Sequence, residues 1–532
     1  MKLRLLGTLA GLGTLGLVIL GAAPGHADLV VPEQTAGKAP DGPKASPELI
    51  ARGEHLTTMG DCVGCHSANG GKHFAGGQYM GMPFGDISTP NITPDTETGI
   101  GRYTDADFLK LMHHGVTPEG MHIYPAMPYP WYATVKDDDV LAIKAYLFSL
   151  DPVHAPRRPN KIWFPFNLRP VLALWDAAFV PGQVFKPDPK LTDEQNLGAY
   201  IVNGLEHCGE CHNNRNFLGN TKVALEVKGG PITMWYAPNL RSDKVSGIGG
   251  YTDDQVVQWL HDGHSEAMGT VAGPMAEVID YSTKKLEERE LRAIVSYLRT
   301  LPPAPSYEAR QAPPDSRPMV AGRTAYLSNC ASCHQVDGKG LPGKIPALDG
   351  NGMVRAFGPQ SVIRVILGGL EARGPFAPMP GVGAGMTNQQ VADAANYVRQ
   401  AWSNAAPANA TPFLAGFLRS DTSTLLNGAR PDGCPVLVQE DLRRIIDDKS
   451  TGVADLLHNM TLPTMLQTTN AILAKVKADA PNLEQADIVN GLTIAYCPIA
   501  NADTTLDEDS RHWATTHFAE RVYVQLTTKG AY

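Results

Sequence analysis

The chain has few cysteines, a modest share of charge and no basic excess. Eight cysteines in 532 residues leave room for one disulfide at most, once six are placed in the motifs described below. Charged residues make up only 19% and the formal net charge is -9, so there is no extended basic face for nucleic acid. Beyond the first 27 residues no run reaches the roughly 18 apolar residues of a membrane helix, and the mature chain is expected not to span a bilayer. Nor is the chain poor enough in apolar residues to be disordered. With 43% hydrophobic residues it is globular in class and long enough for three or four domains.

What is present is a five-residue pattern in three copies: Cys62-Val63-Gly64-Cys65-His66, Cys208-Gly209-Glu210-Cys211-His212 and Cys330-Ala331-Ser332-Cys333-His334. C-x-x-C-H is the spacing of covalent c-type haem attachment. Two thiols separated by two residues each form a thioether to one haem vinyl group, and the adjacent imidazole meets one face of the iron as proximal ligand. A single C-x-x-C also suits a zinc half-site or a redox dithiol; three copies with the same trailing histidine point to three haems c.

The amino terminus reads as an export signal. Met1-Lys2-Leu3-Arg4 is a short positive region, Leu5 to Ile19 is apolar, and Gly25-His26-Ala27 offers a cleavage site, with an uncleaved anchor as the alternative. Residues 28–46 form a loose arm rich in Pro, Gly, Lys and Ala. Export also permits the two remaining cysteines, Cys434 and Cys497, to pair. Such a bridge would contribute on the order of 4 kcal/mol in the chain-entropy model.

Each motif follows an expected helix. Ser46-Pro47-Glu48 starts one running to Met59, Thr192-Asp193-Glu194 one running to Glu206, and Pro318 one running to Asn329. A Gly-rich and Pro-rich loop comes next, then a short helix stopped by Gly115, Gly263 or Gly368-Gly369. A patterned amphipathic helix closes each repeat, at Asp138 to Leu150, Lys285 to Leu301 and Asn388 to Trp402. Those closing stripes are expected to pack on the helix ahead of the motif. The fold class is therefore all-α: three tandem class I-like cytochrome c domains at 47–158, 186–303 and 318–403, with a helical C-terminal extension at 404–532. An aromatic strap at 159–185 and a Pro-rich linker at 304–317 join them. The strap reads as an interdomain connector, with an interfacial membrane contact as the sharper alternative.

An electron-transfer haem usually carries a second axial ligand, and methionine raises its potential relative to histidine. Met127, Met275 and Met379 each lie in a Pro-containing loop at the same place in their repeat, which makes them the candidates beside His66, His212 and His334. Met121, Met268 and Met386 compete for the role, as core filler competes with any methionine reading. His113, His114, His261 and His264 would instead give bis-histidine haems.

The first repeat is dense in further signature stretches: Gly70-Gly71-Lys72-His73-Phe74-Ala75-Gly76-Gly77, Asn91-Ile92-Thr93-Pro94-Asp95, Thr98-Gly99-Ile100-Gly101-Arg102-Tyr103, Tyr124-Pro125-Ala126-Met127-Pro128-Tyr129 and Phe164-Pro165-Phe166-Asn167-Leu168-Arg169. With these, residues 47–403 resemble the triheme cytochrome c subunit of membrane-bound bacterial dehydrogenases of the alcohol, gluconate, fructose and aldehyde type. The resemblance implies a partner catalytic subunit carrying pyrroloquinoline quinone, flavin or a molybdenum cofactor. It also implies ubiquinone as electron acceptor, peripheral contact with the cytoplasmic membrane at its periplasmic face, and no substrate chemistry in this chain. The alternatives are a free periplasmic electron shuttle or a haem peroxidase, the latter needing an open iron with acid and base groups beside it. The extension after residue 403 departs from the family pattern and is expected to be a docking region.

Overall fold

The computed structural model describes residues 45–425 and 440–527, apart from positions 69, 83, 181, 217, 222–225, 233, 482, 484 and 507. The export signal, residues 28–44 of the arm, and Cys434 lie outside the described residues.

Each motif forms one short helical turn, Cys62–Cys65, Gly209–His212 or Ala331–His334, at the end of a longer helix. In the first unit α1 (Pro47–Met59) leads to the motif, followed by α2 (Asp105–His114) and α3 (Asp137–Ser149), with α4 (Pro170–Phe179) in the strap. The second unit has α5 (Asp193–Asn203), α6 (Asp253–Asp262), α7 (Pro274–Tyr281) and α8 (Glu288–Thr300). The third has α9 (Arg317–Asn329), α10 (Gln360–Gly368) and α11 (Asn388–Gln400).

The helix starts follow from the sequence. Ser46 Oγ accepts the Leu49 N–H with Pro47 in the first turn, and Thr104/Asp107, Thr192/Gln195, Thr252/Gln255 and Thr387/Gln390 form reciprocal capping boxes. Gly115 and Gly263 stop α2 and α6 in the left-handed conformation, at φ 63° and 73°. One expected end was misplaced: α5 finishes at Asn203, because Gly204 leaves helical φ/ψ and Leu205, Glu206 and His207 turn toward the motif.

The entry and closing helices of each unit cross at a glycine. A Cβ on Gly53 would lie 1.9 Å from the Ala142 carbonyl oxygen of α3, one on Gly198 1.9 Å from that of Ala293 on α8, and one on Gly322 2.5 Å from that of Asp393 on α11. Backbone therefore meets backbone at all three crossings. The closing helix places Tyr146, Tyr297 or Tyr397 beside that contact.

The units do not keep three separate cores. Leu56, Met59, Ile143 and Leu147 of the first pack in one continuous apolar cluster with Ile201, Leu205, Leu291 and Leu298 of the second. The third has its own core around Tyr326, Ile363, Val391 and Val398. Polar bonds tie it to the second unit: Arg373 grips Asp280 through two N–H···O contacts of 2.9 and 2.7 Å, and Tyr251 donates to the Gly350 carbonyl at 2.6 Å.

Short antiparallel strands add to the helical class: β1 (Tyr79–Met82), β2 (Gly85–Ser88) and β3 (Lys161–Ile162) form one sheet, and β4 (Gly230–Ile232) pairs with β5 (Trp235–Ala237). These pairings satisfy backbone groups in the long loops after the motifs. Periodicity does not reveal them because each strand is at most four residues long.

The chain beyond 403 divides in two. Helix α12 (Pro412–Leu425) puts Ala415 and Leu418 into the third core. Helices α13 (Glu440–Asp447), α14 (Val453–His458), α15 (Met465–Asp479), α16 (Gln485–Ala502) and α17 (Glu508–Thr527) share a further core of Ile472, Leu492, Phe518 and Val522. Cys497 is buried on α16 and disulfide-bonded, while its expected partner Cys434 lies outside the described residues.

Filling a crossing glycine should be costly where an unconfined one is not. Gly198→Val is expected to destabilise the protein by about 1–3 kcal/mol through overpacking, read as a lowered melting temperature. Gly182, whose added Cβ would meet nothing within 4 Å, should accept Ala without effect.

Candidate haem sites

The three motif histidines are held alike. His66 Nδ1 lies 2.9 Å from the Pro90 carbonyl oxygen, His212 Nδ1 2.6 Å from that of Pro238, and His334 Nδ1 3.1 Å from that of Pro346. A carbonyl only accepts, so each Nδ1 carries the ring proton and each Nε2 keeps its lone pair. That is the tautomer an iron ligand needs, fixed by a backbone partner as metal-bound imidazoles usually are. Burial lowers the pKa of all three, His334 to about 4, and so keeps the rings neutral. The three prolines escaped the sequence reading. The available signal was a proline recurring 24, 26 and 12 residues after the histidine, at different distances because the loops differ in length.

The cysteines are partly or fully buried and free of disulfides. Burial pushes the thiols of Cys62, Cys65, Cys211 and Cys330 up to about 12 and that of Cys333 to about 11, and it raises Cys208 as well. Buried neutral thiols are compatible with thioether attachment and differ from the lowered thiols of an active redox dithiol. Among the described residues no three His, Cys, Asp or Glu side chains converge as they would on a metal.

The third motif opens on a cavity enclosing about 730 Å³ including its mouth, and Cys330, Cys333, His334, Pro346 and Met379 line it. Met379 thus shares a space with its candidate histidine. Its competitor Met386 is 3% exposed and buried in the third core. Met127 is half-buried against the core common to the first two units, as is Met268, the competitor of Met275 in the second unit. Met275 is half-buried in the first turn of α7, and Met121 is half-buried in the loop after α2. Of the histidine alternatives, His113 Nε2 is 3.0 Å from the Val135 carbonyl and His261 Nδ1 2.7 Å from Asp262. His264 stands edge-on to Phe376 and His114 edge-on to His113.

Each of the first two units covers the motif of the other. Fully buried Trp131 of the first unit donates its indole N–H to Glu210, inside the second motif, at 3.0 Å. Its ring lies so close to Gly209 that a Cβ there would be 2.2 Å away, which explains glycine at that motif position. Reciprocally, α7 of the second unit packs on the Cys62–Cys65 turn. Buried carboxyls gather at this junction. Burial pushes Glu206 up to about 8 and Asp61 to about 7, helped by their mutual repulsion at Glu206 and by Glu277 at Asp61. Ser282 Oγ is 2.7 Å from Glu206 Oε1 and 3.1 Å from the Met59 carbonyl. The bond that Ser282 donates to Glu206 favours the carboxylate and offsets part of the rise that burial causes.

Comparison with other proteins agrees with this geometry. Residues 50–151 and 319–402 match the cytochrome c family model. The chain is 36% identical over 393 residues to the cytochrome c subunit of the quinone alcohol dehydrogenase of Gluconacetobacter polyoxogenes, an alignment covering 69% of this chain and 84% of that one. It is 35% identical over 416 residues to the gluconate 2-dehydrogenase cytochrome c subunit of Pantoea cypripedii, covering 73% and 93%. It is 36% identical over 389 residues to the fructose dehydrogenase cytochrome subunit of Gluconobacter japonicus, covering 67% and 80%.

The buried carboxyl gives a pH signature. Glu206 has a folded pKa raised above its ordinary 4.5, so its contribution to stability is complete below that value and is lost as pH rises through about 8. Glu206→Gln should therefore gain in melting temperature relative to the parent between about pH 5 and about pH 9. A constant difference across that range would count against a protonated Glu206.

Proposed function

The chain belongs to the family of dehydrogenase cytochrome c subunits, and from that premise we propose that it carries three covalently bound haems c. It relays electrons from a partner subunit oxidising an alcohol, sugar or aldehyde to membrane ubiquinone. The observation that carries this reading is the threefold recurrence of paired cysteines beside a histidine whose Nδ1 is tied to a proline carbonyl. One-electron chemistry belongs to the haem iron. The chain's own residues attach, orient and enclose it.

In this reading Cys62 and Cys65, Cys208 and Cys211, and Cys330 and Cys333 form the thioethers. His66, His212 and His334 offer Nε2 from one side, and Met127, Met275 and Met379 are the sixth ligands. Substrate chemistry is assigned to the partner, which would hold a pyrroloquinoline quinone, flavin or molybdenum cofactor. The shared core of the first two units and the covering of each motif by the other unit favour electron exchange between those two sites.

We place the protein at the periplasmic face of the cytoplasmic membrane, exported by its first 27 residues. The strap supports peripheral contact: Trp163, Phe164 and Leu174 are 65%, 77% and 76% exposed, a concentration of apolar surface that water disfavours. Its polar groups face the other way. Buried Asp176 accepts the Tyr129 hydroxyl at 2.5 Å and contacts His122, Tyr124 donates to the Phe166 carbonyl at 2.9 Å, and Trp175 donates to the Leu218 carbonyl at 2.9 Å. The strap is thus fixed to the first and second units with its apolar side chains turned out. Among the described residues no helix is long and apolar enough to cross a membrane.

Intact-protein mass should show three haems, with one lost in Cys330→Ser/Cys333→Ser. Met379→Ala should keep all three while shifting the potential and spectrum of one; an unchanged spectrum and potential would remove Met379 as a ligand. Isolated from membranes, the chain should co-purify with a larger cofactor-bearing dehydrogenase subunit, and the complex should reduce a soluble quinone analogue. Serine at Trp163, Phe164 and Leu174 should release it from lipid vesicles. A chain that elutes alone and reduces no quinone would overturn the relay.

A further inference from the structure

The attachment turns of the first two units are walled by each other, Trp131 lying on the second and α7 on the first. From the second unit, Thr270 reaches the cavity of the third site. The turn of the third unit is also covered from outside the unit. The Cys333 side chain packs against the core of the C-terminal helices, and α17 lies on both α9 and the Ala331–His334 turn. Val489 and Thr493 of α16 and Ala519 of α17 line the same cavity as Cys330, His334 and Met379.

We infer that α16 and α17 complete the wall of the third haem site: Val489, Thr493 and Ala519 are positioning residues that close its attachment edge and exclude water from it. The physical reason is that an apolar shell around a redox centre sets its solvent access and hence its potential. Without Val489, Thr493 and Ala519 that edge of the cavity would lie open to water. The extension supplies the missing surface, and its disulfide-bonded Cys497 lies on the same helix, beside Ser332 of the motif in an adjoining space. The segment that departs most from the family pattern is thereby assigned to the third site and not to an external partner alone.

The inference rests on the haem assignment above, and the two fail differently. Thr493 is a suitable probe because its hydroxyl donates to the Val489 carbonyl at 2.6 Å, within its own helix, so valine replaces it with little change of shape. In the full-length holoprotein, Thr493→Glu should shift one haem potential downward and leave the others in place. Thr493→Val, which keeps that wall apolar, should not lower it, and the exposed control Lys477→Glu should leave all of them unchanged. A second measurement needs no variant: the Val489 and Thr493 methyl resonances should shift between oxidised and reduced protein, because a paramagnetic iron acts only on nearby nuclei. Full haem content with no potential moved by Thr493→Glu, or methyl resonances indifferent to redox state, would overturn the inference. Absence of haem from Cys330 and Cys333 would instead overturn the assignment beneath it.

Discussion

The bond from each motif histidine to a proline carbonyl holds the site geometry together. It fixes the ring tautomer and the plane of the imidazole, and it requires the chain after the motif to return to the same spot. That return is why a long, glycine-rich loop follows each attachment turn. It is also why short strand pairs appear inside the loops of a helical protein, since a segment that doubles back must satisfy its own backbone groups. The proline suits the role because it has no N–H to satisfy there and its carbonyl is free to accept.

The second constraint is enclosure. About a hundred residues build a thin core, and each unit compensates by borrowing from a neighbour. The first two units share one apolar cluster and cover one another's motifs with Trp131 and α7. The closeness has an electrostatic consequence. Asp61 and Glu206 stand just ahead of their motifs on facing units, and burial holds both well above the ordinary carboxyl range. Glu206 accepts a bond from the Ser282 hydroxyl, which also lies 3.1 Å from the Met59 carbonyl across the unit boundary. Glycine at each helix crossing serves the same economy of space, letting backbones touch where any side chain would wedge them apart.

Much of the local structure was legible in the residues. Ser46-Pro47, Thr104, Thr192 and Thr252 mark helix starts because capping is a contact within one turn of chain, and Gly115 and Gly263 mark stops for the same reason. The closing helices announce themselves by their apolar spacing, and their packing on the entry helices follows from it. The end of α5 was misread because Gly204 breaks the helix through a backbone choice that apolar periodicity does not record. The strap was legible as an interrupted apolar segment. Which of its residues anchor it and which face out depended on Asp176 finding Tyr129 and His122, a contact made only when the fold closes.

The sequence by itself determined where the paired cysteines and their adjacent histidine sit, because that spacing is a fact of five consecutive residues. It also determined helical class and repetition, since those depend on period and on caps. Only the tertiary structure decided which prolines hold the histidines, since loops of three lengths bring them back. The same holds for the fusion of two repeats around one core, and for the union of Met379 with His334 and of α16 and α17 with the third motif in one cavity. Those relations join residues from about 12 to about 240 positions apart, and no local pattern encodes which distant surface a given turn will meet.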